Sequence, residues 1–532
     1  MSVRRRWAVT AGVMTGMFIG ALEATVVGTA MPTVIASLGG LNYYSWVFSA
    51  YLVTSTVTVP VWGKLSDLYG RRLLYQIGIG VFLLGTLLSG FSQTMTQLII
   101  FRAIQGLGAG ALVPLGMTII GDIFTVRERA KMQAYFSGVW GFSSVIGPVV
   151  GGFITDQISW RWVFFINLPI GVVAALIIGF ALKEPKHNDK PQIDYAGAGL
   201  LMLAISLLML ALVEGGASLD KIFSLENILL VSASIFLLAI FFIVEKRAPD
   251  PIIPFDLFKN KTVAVAVGAG FLAGVAMFGA ISFIPLFAQG ALGLSATAAG
   301  SLLTPLMLSW VSMSIIGGRL MLKIGYRANT IAGFLILTLG FILLTQFGRE
   351  TPRFWLYLDL ILIGAGLGLT MLTLLIAVQQ AVERSKLGTV TSLNQFSRAI
   401  GGAFGVAIMG AFLTAGLASE LKKAASGGNA NLTVGQAADF AANPNALIDP
   451  AAKAMLAPET LEVLQNAMAI SIHRVFFVGA ILSFLAFIVV LFLPKQDEKS
   501  EIHKTDEDCG EKTLMAQQTT INARNQPSAS NN

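Results

Sequence analysis

Gly63-Lys64-Leu65-Ser66-Asp67-Leu68-Tyr69-Gly70-Arg71-Arg72 stands at the junction of two apolar runs, 45–65 and 73–92. A run of about 20 apolar residues can cross a bilayer as a helix, so the charged junction must return to water between two spans. Gly70 lets the chain reverse sharply. Asp67 supplies a carboxylate that can cap a neighbouring helix N-terminus or pair with a cation. Arg71 and Arg72 can hold acidic partners, and Asp122, at the end of the fourth apolar run, is the nearest candidate. Positive charge alone orients a membrane loop, but orientation does not account for a lone Asp between two glycines. Gly63, Asp67, Gly70, Arg71, Arg72 and Asp122 are therefore expected to form a gating latch.

Outward from this junction the pattern repeats, giving about fourteen spans by length. They fall at 8–33, 45–65, 73–92, 97–121, 131–155, 161–182, 194–214, 226–245, 262–288, 296–321, 328–347, 353–381, 389–416 and 471–493. With the N-terminus inside, the inside segments hold Arg4–Arg6; Lys64, Arg71, Arg72; Arg127, Arg129, Lys131; and Lys183, Lys186, Lys190. They continue with Lys246, Arg247, Lys259, Lys261; Lys323, Arg327; and Arg384, Lys386. The short outside loops hold only Arg161, Lys221, Arg349 and Arg353. A missed or invented helix would break this phase, so both termini are expected in the cytoplasm and the protein in the cell membrane. The first run is too long for a signal h-region and more spans follow it, so it reads as an uncleaved helix.

Composition agrees. Of 532 residues, 55% are hydrophobic and 12% charged, with a mean hydropathy of +0.74; soluble domains carry roughly twice that share of charge. The net charge of +7 lies in short loops, without the basic stripe and interleaved aromatics of a nucleic-acid site. The three histidines and the single Cys509 lack metal-ligand spacing, and one thiol forms no internal disulfide. There is no GxxxxGK[ST] loop, which excludes ATP hydrolysis by this chain. No cofactor, metal, nucleic acid or ATP is expected, and no nucleophile, His and Asp constellation suggests an enzyme.

Polar residues inside spans carry the functional reading, because hydrocarbon makes them expensive. Glu23 lies near the middle of the first span, in Leu22-Glu23-Ala24-Thr25-Val26-Val27-Gly28-Thr29-Ala30-Met31-Pro32. Desolvation favours its neutral form and a nearby Arg its charged form, so such a carboxyl can be poised to exchange a proton. Arg102, in Arg102-Ala103-Ile104-Gln105-Gly106-Leu107-Gly108-Ala109-Gly110, lies about five residues into the fourth span. Its burial costs about 2.5–3.5 kcal/mol unless it faces a cavity or a partner. Glu23 and Arg102 are the expected proton-coupling pair. In the fifth span, Gly141, Ser144, Gly147, Pro148, Gly151 and Gly152 share one face, which is expected to admit another helix closely, with a bend at Pro148.

Several of these stretches resemble known signatures. The junction resembles the GxLxDxxGRR loop of the major facilitator superfamily, and a fainter echo, Gly318-Arg319-Leu320-Met321-Leu322-Lys323-Ile324-Gly325-Tyr326-Arg327, has Leu322 where Asp67 stood. Arg102 with its glycines matches a second signature of that superfamily. The Gly141 to Gly152 run resembles the helix-5 motif of its antiporters. The Glu23 segment resembles the LDxTxVNVALP run of the fourteen-helix drug–proton antiporters, the EmrB/QacA family, with Glu for Asp and Gly28 for Asn. Trp160-Arg161-Trp162-Val163-Phe164-Phe165-Ile166-Asn167-Leu168-Pro169-Ile170-Gly171 is also similar to that family. The resemblance covers about residues 8–494 and implies an all-α integral membrane protein of the major facilitator fold. Two pseudo-symmetric six-helix bundles, 1–185 and 259–494, would flank a cavity, with an added helix pair in 186–258 at the periphery.

The resemblance further implies proton-coupled export of small lipophilic or cationic compounds by alternating access. Uptake of a metabolite or translocation of a lipid on the same fold remain alternatives. Candidate cavity residues are Gln105, Trp46 and Tyr51 in the first half and Gln289, Asp359, Gln379, Asn394 and Arg398 in the second. Two segments differ: 417–470 reads as a long outside loop with a short amphipathic helix at Pro458–Met468, and 495–532 as a disordered cytoplasmic tail.

Overall fold

A computed structural model describes residues 2–38, 44–183, 194–215, 223–249, 251–294, 302–348, 351–426 and 456–494, with isolated positions between them. The tail 495–532 and most of the outside loop lie outside the described residues.

Lipid offers no hydrogen bonds, so each apolar run satisfies its backbone internally as a helix. The first half contains α1 (Val3–Leu38), α2 (Tyr44–Tyr69), α3 (Arg71–Gly90), α4 (Met95–Ile123), α5 (Val126–Gln157) and α6 (Trp162–Ala181). The added pair is α7 (Tyr195–Gly215) and α8 (Leu225–Glu245). A 42-residue helical segment, Leu303–Leu344, is about 63 Å long at 1.5 Å per residue, twice the hydrocarbon thickness. It is not straight. Gly325 has φ 79° and ψ 168°, and the Asn329 side chain reaches the Gly317 carbonyl at 3.2 Å, which is possible only if the chain doubles back. The arms are α10 (303–324) and α11 (326–344). With α9 (Lys261–Gly290), α12 (Arg353–Gln380), α13 (Leu387–Ser426) and α14 (Pro458–Val490), fourteen helices are described.

Gly70, between α2 and α3, has φ 92° and ψ 149°. Its partner in the echo, Gly325, occupies the same left-handed region, where a Cβ would be strained. The two half-molecules thus turn on equivalent glycines, although only the first keeps its Asp.

Helices α1–α6 pack on one another, as do α9–α14. The two bundles meet along α2 with α13, α4 with α13, and α5 with the α10–α11 hairpin. The added pair packs on itself and leans on α2 and α13, so it lies against a seam between the bundles.

Two expected boundaries are corrected. The last helix begins at Pro458 rather than 471, because Leu464 and Met468 are fully buried in the second bundle and the apolar stripe continues without a break. Pro458–Met468 is thus the first part of α14, not a separate loop helix. Likewise α13 runs to Ser426 instead of ending near 416. Glu420 of this extension binds Arg474 of α14 at 2.5 Å and Lys423 at 2.9 Å.

Candidate functional site

Four buried polar side chains converge inside the first bundle. Glu23 on α1 is fully buried, and so are Gln105 on α4, Arg102 on α4 and Asn167 at the start of α6, all at 2% exposure or less. Glu23 Oε1 pairs with Arg102 Nη1, and Glu23 Oε2 accepts from Asn167 Nδ2 at 2.6 Å. Arg102 also donates to Gln105 Oε1 at 2.6 Å and to the Val47 carbonyl at 3.4 Å. Its guanidinium carbon lies 4.3 Å from the Tyr51 ring centroid. Gln105 in turn donates to Thr86 on α3 at 2.8 Å.

This arrangement has a chemical consequence. A buried ion pair is tolerated because each charge neutralises the other. Arg102, however, has a second set of acceptors in Gln105, Val47 and the face of Tyr51, so neutralising Glu23 does not strand the guanidinium. The carboxyl can therefore change protonation state while its partner stays solvated by protein. Asn167 was visible in the sequence only as an amide at the mouth of an apolar run; its meeting with Glu23, 144 residues away, follows from α1 packing on α6.

The second cluster closes the face that carries the Asp67 junction. Asp67 accepts from the backbone N–H of Gly388 at 3.0 Å and of Thr389 at 2.7 Å, and from the Thr389 hydroxyl at 2.7 Å. Those groups open α13, where unpaired N–H groups and the helix dipole favour an anion. Arg71 holds Asp67 at 2.5 Å and Asp122 at 3.0 Å. Arg72 lies exposed beside them. One carboxylate thus caps a helix of the other bundle while bound to a cation of its own. Nearby, Arg129 of α5 reaches Gln379 of α12 at 3.1 Å, and Gln379 binds Thr391 of α13 at 3.0 Å. Glu128 caps α5 and pairs with Arg6 at 2.6 Å; the Thr125 backbone N–H, foremost, and Arg6 hold its carboxyl below the usual range.

Gly63 makes the closure possible. A Cβ there would lie 2.9 Å from the Gly388 carbonyl and closer still to Ser392. Gly63→Val should hold this face apart; labelling of a cysteine placed at Ser392 would rise in the variant, and unchanged labelling would refute the contact. Asp67→Ala removes the acceptor for three α13 donors, at about 1–3 kcal/mol for stranding buried groups. It should raise protease or thiol access to the start of α13 several-fold, whereas Asp67→Asn should lie between it and the parent.

The other expected cavity residues scatter. Tyr51 belongs to the Glu23 cluster, and Trp46 is half-buried on α2. Gln379 sits in the seam between the bundles, beside Arg129. Asp359 is 2% exposed on α12 and faces Gly340 of α11, inside the second bundle and away from the Glu23 cluster. Asn394 is buried against Gly270 of α9, and Arg398 approaches Met371 Sδ at 3.8 Å. Gln289 is half-buried at the end of α9. In the helix-5 motif Gly147 and Gly151 are buried, and a Cβ at Gly141 or Gly152 would meet no atom of the described residues within 4 Å. The Pro148 side chain lies outside the described ones.

Comparison with known proteins supplies the setting. Residues 13–406 match the sequence model described as Major Facilitator Superfamily. The chain is 38% identical over 506 residues to "Multidrug transporter protein MdtP" of Bacillus subtilis, covering 92% of this chain and 93% of that one. It is 38% identical over 498 residues to "Multidrug resistance protein 3" of the same organism, covering 93% and 97%. Among solved structures, the human organic anion transporter MFSD10 (TETRAN) superposes with a TM-score of 0.60 at 16% identity, covering 92% of this chain and all of that one.

Proposed function

The chain belongs to the major facilitator superfamily, and from that premise we propose that it exports small lipophilic or cationic compounds across the cell membrane in exchange for protons. The observation that carries this reading is the Glu23–Arg102–Asn167 cluster: a carboxyl wholly removed from water, with partners that survive its neutralisation. The names of the two Bacillus relatives and the helix-5 glycine run support export over uptake.

In the cycle, rocking of the two bundles exposes a central path to either side in turn. The Asp67 cap on α13 holds the cytoplasmic side closed, and that side opens when the cap releases. Cargo then enters from the cytoplasm or inner leaflet and displaces the proton from Glu23; reprotonation from outside resets the carrier. Exchange of one monovalent cation for one proton moves no net charge, so the pH gradient drives it. A neutral cargo draws also on the membrane potential, about 2.3 kcal/mol per charge per 100 mV.

The test is expression in an efflux-deficient host loaded with lipophilic cationic dyes. Dye retention should fall on expression and recover with a proton uncoupler. Efflux indifferent to the uncoupler at every external pH would reject proton exchange, while leaving the carrier fold untouched.

A further inference from the structure

The added helix pair ends, on one side, at two carboxyls: Asp194, half-buried, and Glu245, buried. Asp194 ends the connection leading into α7. Its Oδ1 accepts from the Gly197 backbone N–H at 2.7 Å, while its Oδ2 is buried with no partner among the described residues. Glu245 ends α8 and is 2% exposed. Its Oε1 accepts from the Ile253 backbone N–H at 2.5 Å, which ties down the connection toward α9, and its Oε2 is likewise buried and unpartnered. The two orphan oxygens crowd the same space above Gly197, where an added Cβ would lie 2.7 Å from Glu245 Oε2 and closer still to Asp194 Oδ2.

Two bare carboxylates cannot share such a site, because their repulsion in a low dielectric far exceeds what burial returns. Among the described residues, no cation forms an ion pair with either carboxyl. Lys246 lies over the Phe242 ring at 4.3 Å, and Lys259 binds Asp256 at 2.6 Å on the exposed surface. Of the helices packed on α7, α2 brings Lys64 and Asp67 to this face and α13 begins beside Lys386. The charged side chain that acts on Glu245 is Asp194.

We propose that Asp194 and Glu245 bind one proton between them, a second proton site independent of Glu23, with the Glu245 acid donating from Oε2 to Asp194 Oδ2. The bridge closes the α7–α8 hairpin at its Asp67-side end and, through Ile253, ties it to the connection toward α9. Because the pair belongs to one coupled unit, its proton is a property of both residues. When it leaves, two negative charges face each other over Gly197 and the clasp opens.

The sign follows from linkage. The folded protein holds a proton that separate carboxyls in the unfolded chain release below neutral pH, so the clasp stabilises at low pH and its contribution is lost as pH rises. Glu245→Gln supplies a permanent donor in place of the proton. With purified full-length protein in detergent, the melting temperature of the parent should fall relative to E245Q as the buffer is raised from about pH 6 to about pH 9. The infrared absorption of protonated carboxyls at neutral pH should be weaker in E245Q than in the parent by the share of one carboxyl, and the difference should vanish as the parent is taken to high pH. Glu245→Ala, lacking any bridge, should melt below both at low pH. Parallel pH curves for parent and E245Q, or recovery of the parent on adding sodium or calcium at high pH, would overturn a shared proton. Dye efflux by E245Q reports separately on Glu23, since the two sites share no residue.

Discussion

Glu23→Gln should abolish proton-coupled efflux while leaving the folded carrier intact. Glutamine keeps the volume of the side chain, its Oε1 can still face Arg102, and Asn167 can turn its amide to meet the new group. What is lost is the exchangeable proton. In everted vesicles, substrate-induced proton release should fall by roughly 100-fold or more, the scale on which positioned proton-transfer groups act. Downhill exchange of labelled substrate across the same membrane should continue, because rocking does not require the carboxyl to titrate. Proton release equal to that of the parent would reject Glu23 as the coupling group. Glu23→Asp, by contrast, should retain coupling with altered cargo preference, since the shorter arm withdraws from Arg102.

The second large effect concerns stability. Arg102→Ala leaves Glu23 buried without its cation, and removing one partner of a buried pair costs about 3–5 kcal/mol. The variant should express poorly or melt well below the parent in detergent. Removing both charges together, as Glu23→Gln with Arg102→Gln, should recover most of the loss, because two neutral amides can satisfy one another and Gln105. A double variant no more stable than Arg102→Ala alone would mean that the cost lies in lost contacts of the guanidinium with Tyr51 and Val47, not in a stranded charge. Transport should be absent from both, so stability is the informative readout.

Much of this was legible from residues alone. The number of spans and the phase of loop charge depend on hydropathy and on Lys and Arg positions, which act locally. Glu23 and Arg102 stood out for the same reason: each is costly in hydrocarbon wherever its partner lies. Asp67 and Gly70 announced a sharp, charged turn. Gln379 was legible as a polar residue in a span, but its partner was not, since such a residue reads identically whether it lines a cavity or binds Arg129 across a seam. The glycines of α5 defined a face by their spacing, but spacing does not say which neighbour occupies it.

By itself the sequence determined a fourteen-helix membrane protein and the polar groups it must bury, since transfer of each residue between water and lipid is a property of short stretches. Only the tertiary structure decided which groups meet. Asp67 caps Gly388 and Thr389 more than 300 residues away, Asn167 completes the Glu23 site, and Asp194 finds Glu245 across an entire hairpin. Such pairings depend on how whole helices pack, and no local pattern of apolar and charged residues encodes them.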